Sequence, residues 1–370
     1  MYKQYITAAI FAVATLLSNG CASASLQRVP QFITSEHLWV KHLNDSSLVG
    51  KVDISTGEVQ WHQLDLALKN TYTFIQSSDN HYLASRTASG VVIYKVLNQD
   101  KVDGALMKVA EINGYENPQW SPNTNELLLL PTSGNSVVIW RPEDGNLPNE
   151  RIVANRHVCS ATWGQDTDTL ILSICTGQRE LIRWSRKTVT PTTLLHFNLK
   201  MPDGQYAVYT SILQSSPDRR FVLLKLHIWT TDVHDDNHMP SVLIDEQHAV
   251  ANIQTGEIKV LGAKIFVGSS YIMFLSDHEV LSAGQYDLNL PPKFTYILSD
   301  INTDQAKFLW TNDQNCLQDM IMIKEKPILQ YRSCQDGSLE GFYEVAIQSS
   351  QRSHIPVQNS EQKLIIVNTE

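Results

Sequence analysis

A polar turn running into an apolar strand recurs along this chain every 44 residues or so, and that repeat narrows the possible folds more than any other feature. The unit first stands as Ser77-Ser78-Asp79-Asn80-His81-Tyr82-Leu83. It returns as Trp120-Ser121-Pro122-Asn123-Thr124-Asn125-Glu126-Leu127, as Trp163-Gly164-Gln165-Asp166-Thr167-Asp168-Thr169-Leu170, and as Ser216-Pro217-Asp218-Arg219-Arg220-Phe221-Val222. Measured between Asp79, Asn123, Asp166 and Asp218, the steps are 44, 43 and 52 residues. Such a period belongs to one blade of a β-propeller.

A second unit repeats independently. Val52-Asp53-Ile54-Ser55-Thr56-Gly57-Glu58-Val59 and Ala251-Asn252-Ile253-Gln254-Thr255-Gly256-Glu257-Ile258 match almost position for position, and Ser299-Asp300-Ile301-Asn302-Thr303 is a looser copy. Asn98-Gln99-Asp100, Glu143-Asp144-Gly145, Arg186-Lys187-Thr188 and Gln348-Ser349 each follow an apolar strand and fill the same slot, which makes seven turns. Glycine suits such turns because they often need φ > 0. The expected fold is therefore all-β: a seven-bladed propeller of four-stranded antiparallel blades, with strands A to D running outward from the axis.

One such sheet cannot bury both of its faces, so neighbours must stack and share a core. In the third blade the pattern predicts strands near 118–120, 126–131, 136–141 and 151–154. Trp120, Trp140, Trp163 and Trp184 recur at blade positions and read as inter-blade packing rather than a sugar-binding platform. The first blade, starting at His37, lacks an inner strand. The terminal Lys363-Leu364-Ile365-Ile366-Val367-Asn368 is expected to supply it; the alternative is that residues 32–34 begin that blade.

The turn units resemble the WD-like propeller repeats of the TolB family, which read Trp-Ser-Pro-Asp-Gly before an apolar strand. Trp120-Ser121-Pro122-Asn123 and Ser216-Pro217-Asp218 carry the likeness, and the other copies are degenerate. It extends from about residue 37 to the C-terminus. Residues 25–36 leave no room for the additional N-terminal domain of TolB, so the resemblance implies a fold and a compartment but transfers no role.

Residues 1–24 read as an export signal: Lys3 gives the positive start, and residues 6–17 form an apolar run too short for the ~20 residues of a membrane helix. Two cleavage sites compete. Leu17-Ser18-Asn19-Gly20-Cys21 looks like lipoprotein processing that leaves a lipidated Cys21, although Ser18 departs from the aliphatic residue expected there. Ala22-Ser23-Ala24 offers ordinary cleavage after Ala24. Residues 25–370 would then be a single propeller domain. Cysteine usage agrees with an oxidising compartment. Besides Cys21 there remain Cys159, Cys175, Cys316 and Cys334, with three possible pairings, of which Cys159–Cys175 and Cys316–Cys334 are favoured. In the repeat frame each pair joins the start of strand A to the end of strand B, where antiparallel neighbours come within the ~5.5 Å that a disulfide needs.

Function is less legible. A net charge of −9, from 38 acidic and 29 basic residues without a basic cluster, disfavours nucleic acid. There is no Gly-x-Ser-x-Gly elbow and no glycine-rich phosphate loop, so no catalytic residue and no cofactor is assigned. The B–C connections of blades 5 and 6 are enlarged, and long loops on a rigid scaffold tend to carry binding. Candidate binding residues there are Trp229, Asp232, His234, Asp235, Asp236 and His238 in one loop, with Tyr286 and Asp287 in the other. His234 and His238 could instead ligate zinc or copper, but Pro240 and the run of acidic residues favour a solvated irregular loop. The expectation is a non-enzymatic binding or scaffolding propeller of the bacterial cell envelope, meeting a protein partner through these loops. It would be periplasmic, attached to the outer membrane through Cys21, or secreted. The rival is an enzyme or metal-dependent ligand binder using the central channel or the His234/His238 loop.

Overall fold

The computed structural model describes residues 32–366, apart from 34–36, 43–46, 54, 64–72, 98–105, 133–135, 149, 154–155, 175–179, 189, 197–198, 201–205, 230–242, 262–269, 286–293, 304, 313–315, 324–325, 333–338, 347–350 and 356–363. A short strand β1 (Phe32–Ile33) opens the described chain. The first sheet then uses β2 (His37–His42), β3 (Leu48–Asp53) and β4 (Val59–Gln63). The second holds β5 (Thr73–Gln76), β6 (Tyr82–Arg86), β7 (Gly90–Val96) and β8 (Leu106–Asn113). The third holds β9 (Tyr115–Trp120), β10 (Leu127–Pro131), β11 (Ser136–Trp140) and β12 (Glu150–Val153). The fourth comprises β13 (Val158–Trp163), β14 (Thr169–Ile174), β15 (Glu180–Ser185) and β16 (Thr190–His196).

In the fifth sheet an additional β17 (Leu199–Lys200) precedes β18 (Tyr206–Ser215), β19 (Phe221–Trp229), β20 (Leu243–Asn252) and β21 (Ile258–Val260). The sixth holds β22 (Ser270–Phe274), β23 (Glu279–Gln285), β24 (Phe294–Asp300) and β25 (Gln305–Asn312). The seventh holds β26 (Cys316–Ile323), β27 (Lys326–Arg332), β28 (Leu339–Ala346) and β29 (Gln351–Ile355). A last strand, β30 (Leu364–Ile366), pairs antiparallel with β2, with Ile366 opposite Val40 and Leu364 opposite His42. It is the fourth strand of the first sheet, at the edge beside β2. Phe32 and Ile33 do not begin that sheet. They lie parallel to Met322 and Ile323 of β26, a pairing the sequence pattern did not indicate. The helical content among the described residues is one 3₁₀ turn, Pro142–Asp144.

Stacking of sheets explains the apolar runs. All four leucines of Leu127–Leu130 are buried, because alternate side chains enter different cores. Leu127 and Leu129 pack with Ile75, Ala84 and Ile93 of the second sheet. Leu128 and Leu130 pack with Trp163, Leu170 and Leu172 of the fourth. A period of two thus feeds two seams from one strand, and each buried leucine contributes about 2 kcal/mol. Similar mixed clusters join the fourth sheet to the fifth, the fifth to the sixth, and the sixth to the seventh. Trp120, Trp140, Trp163 and Trp184 are all buried. Two of them also staple neighbours: the Trp120 indole N–H donates to the Ile75 carbonyl at 2.9 Å, and Trp163 donates to Gln119 at 3.0 Å.

The turns are local devices repeated with the sheets. Ser77 Oγ donates to Asp79 Oδ1 and accepts from Tyr82 N, while Asp79 Oδ1 accepts from His81 N. Ser216, Asp218, Arg220 and Phe221 reproduce those bonds in the fifth sheet. In the C–D turns, Asp53 and Asn252 each accept from the backbone N–H groups two and three residues on, and Asp300 does the same. Gly57 and Gly256 close their turns with φ of 74°. These turns need the left-handed region that the repeated glycine implied.

Candidate functional site

Most of the residues singled out from sequence lie outside the described residues. Asp232, His234, Asp235, Asp236 and His238 fall within 230–242, and Tyr286 and Asp287 within 286–293. Trp229 ends β19, opposite Leu243. Cys21 and the other residues read as an export signal, 1–24, are also outside the described residues. Cys159 is disulfide-bonded and sits in the β-bulge between Val158 and Ser160, beside the pairing of Val158 with Ile174. Its expected partner Cys175 is outside the described residues. Cys316 opens β26 opposite Arg332, whereas Cys334 is outside.

The frame that carries the two enlarged connections is described. In the fifth sheet β18, β19 and β20 have 10, 9 and 10 residues. The corresponding strands β13, β14 and β15 of the fourth have 6 each. Because β19 starts directly after its turn at Phe221, the difference accumulates at the far end, by three residues or roughly 10 Å. The connection between β19 and β20 therefore leaves from a hairpin standing above its neighbour. Beside β18, the short β17 pairs at Ala207 and Tyr206 and broadens the same end. On this rim the fourth sheet presents Glu180, bonded to Arg156 and 3.4 Å from His196 Nδ1.

The opposite rim, formed by the A–B and C–D turns, holds a constellation that the sequence reading missed. Glu126 comes from the A–B turn of the third sheet, and Arg141 and Glu150 flank its C–D turn. Arg186 arrives from the C–D turn of the fourth sheet. The Arg186 guanidinium donates to both carboxylates, at 3.0 Å to Glu126 and 2.7 Å to Glu150, and to the Thr167 carbonyl at 2.6 Å. Arg141 bridges the same two carboxylates, its Nε 2.9 Å from Glu126. Arg186 also lies 5.9 Å above the Trp163 ring. These groups border an open groove of about 510 Å³, with Thr124, Asn125, Glu143 and Asp168 along its sides.

Burial would raise the carboxyl pKa values of Glu126 and Glu150, but hydrogen bonds and charge from Arg186, then Arg141, hold both below the usual range. The same contacts outweigh burial at Arg186 and raise its pKa. All four groups are charged at neutral pH, so none is poised to exchange a proton there. Chemically the quartet is an inter-sheet clamp. The one sequence signal was that Arg141 and Arg186 stand 45 residues apart, a single repeat.

Among the described residues no group of three or more His, Cys, Asp or Glu side chains is arranged to hold a metal ion. No helix there is long and apolar enough to cross a membrane.

With this architecture in view, the likeness to known proteins lies in the fold. No protein-family model and no curated protein matches the chain. A putative 6-phosphogluconolactonase from Bacteroides fragilis superposes with a TM-score of 0.53 at 11% identity, covering 94% of this chain and 99% of that one. The Cps50 (Swd1) β-propeller domain of Myceliophthora thermophila gives 0.50 at 12% identity, over 77% and 85%. A putative TolB from Agrobacterium tumefaciens gives 0.45 at 14% identity, over 74% and 88%. The protein has a β-propeller fold. At these identities the likeness shows the fold alone.

Proposed function

We propose that this chain is an exported, non-enzymatic binding propeller of the bacterial cell envelope, which meets a protein partner through the B–C connections of its fifth and sixth sheets. The observation that carries this reading is the raised β19–β20 hairpin. A two-strand hairpin roughly 10 Å longer than its neighbour carries a long connection, and loops borne on a scaffold of strands are where binding tends to reside. The sixth sheet makes its own enlarged connection on the same rim, between Gln285 and Phe294. Export is supported by the signal-like N-terminus and by the disulfide at Cys159, which suits an oxidising compartment. In this reading the mature protein is either anchored through a lipidated Cys21 or released after Ala24.

The test is cross-linking in the native cell, combined with fractionation, of the intact chain and of a variant lacking residues 230–240. The variant should keep the thermal midpoint and β-type circular dichroism of the parent while losing its cross-linked protein in the envelope fraction. Recovery of the same partner in equal yield from the deletion variant would remove the fifth-sheet connection from the account.

A further inference from the structure

The A–B turn of the fifth sheet contains a residue whose conformation and charge are both unfavourable as they stand. Arg219 has φ of +57°. In the second sheet the same turn position is Asn80, at +63°. Asparagine and glycine enter the left-handed region readily; a long side chain does so only under strain. The turn itself does not ask for arginine. Its bonds are made by Ser216, the Asp218 carboxylate and backbone groups, including Arg219 N–H to the Ser216 carbonyl at 2.9 Å.

Nor is the guanidinium neutralised. The Asp218 carboxylate is taken by Arg220 and Ser216, and Asp277 bonds the Asp218 backbone N–H at 2.9 Å. Arg219 reaches across the seam to the fourth sheet, where Nη1 donates to the Gly164 carbonyl in a long bond of 3.4 Å. Among the described residues no carboxylate faces it. Burial alone acts on it and pushes its pKa down to about 10, so it stays a cation at neutral pH. Arginine offers five N–H donors in a planar fork. Among the described residues one of these donors has a partner, on a side chain that is only partly exposed; Gln165, next to Gly164, bonds Gln254 across the same seam at 2.9 Å. Strain together with an uncompensated, desolvated charge is the mark of a residue kept for a ligand.

We propose that Arg219 binds a small oxyanion, a carboxylate or a phosphate, at the seam between the fourth and fifth sheets, where A–B turns cap the strands nearest the propeller axis. The fork would take two oxygens of the anion side by side. This site is on the rim opposite the raised hairpin and does not depend on the partner-binding reading.

The experiment is a titration of the full mature chain with inorganic phosphate and, separately, with citrate. Thermal midpoint and calorimetric heat are read against sodium chloride at equal ionic strength. The parent should show a saturable rise in midpoint with at least one of the two; the one that works says whether the natural ligand presents phosphate or carboxylate. Arg219→Gly should fold at least as well as the parent, because glycine relaxes the turn. It should bind about tenfold more weakly or worse, the loss expected for a charge-assisted pair. Arg219→Lys, with charge but no fork, should fall between them, and Arg220→Gln should behave as the parent. No saturable effect beyond chloride in the parent, or an undiminished effect in Arg219→Gly, would overturn the proposal.

Discussion

Removing Arg186 tests whether the charged quartet on the A–B rim clamps two sheets together. Arg186→Ala deletes the bonds to Glu126, Glu150 and the Thr167 carbonyl, along with the contact over Trp163. Breaking one side of a buried ion pair costs about 3–5 kcal/mol. The lower end applies here, because Arg141 still bridges both carboxylates and the Glu150 side chain is 26% exposed, which lets water screen it. We expect a loss of about 3 kcal/mol. With an unfolding entropy near ~0.7 kcal/mol/K for a chain of this length, the thermal midpoint should drop by about 4 °C.

The acid limb gives an independent check. Both carboxyls titrate below their unfolded values when folded, so the stability they contribute is complete above about pH 5 and is lost as pH falls through their folded pKa values. In Arg186→Ala that slope should flatten below about pH 5. Adding Glu126→Gln to Arg186→Ala should cost less than the two single changes together, with a coupling of about 1–2 kcal/mol. Calorimetry and urea denaturation across that pH range measure all three quantities. An Arg186→Ala protein with the parent's midpoint and the parent's acid slope would refute the clamp.

Three further outcomes follow from the geometry. Gly256→Ala should destabilise severely, by more than about 2 kcal/mol, since its Cβ would stand 2.2 Å from the Leu194 carbonyl oxygen at φ 74°. Gly145→Ala, at φ 62° and ψ −131° but facing open space, should cost about 1–3 kcal/mol from backbone strain alone and less than Gly256→Ala, and chemical denaturation of the pair checks the contrast. Ending the chain after residue 363 removes β30 and bares the β2 edge; we read β30 as the strand that closes the ring, so light scattering should show aggregation at a temperature the parent tolerates. Peptide mapping without reductant should recover Cys159 joined to Cys175. Reduction should cost about 3 kcal/mol, the value for a loop near 15 residues.

What the sequence determined is whatever the chain settles over a few residues. The Ser77–Asp79–His81 and Asp53–Thr56 bonds span two to five positions, so identical local chemistry recurs wherever the pattern recurs, and the blade period could be read directly. The four consecutive leucines of β10 likewise fit a strand covered on both faces. Only the tertiary structure decided which turns face one another. Arg186 meets Glu126 across 60 residues and Glu150 across 36, and Arg219 meets Gly164 across 55. Those separations carry no local signature, because the partner is chosen by the angle at which two twisted sheets stack. The height of the fifth-sheet hairpin was hidden for a related reason: strand length depends on continued pairing with neighbours, whereas the sequence showed only a long polar insertion.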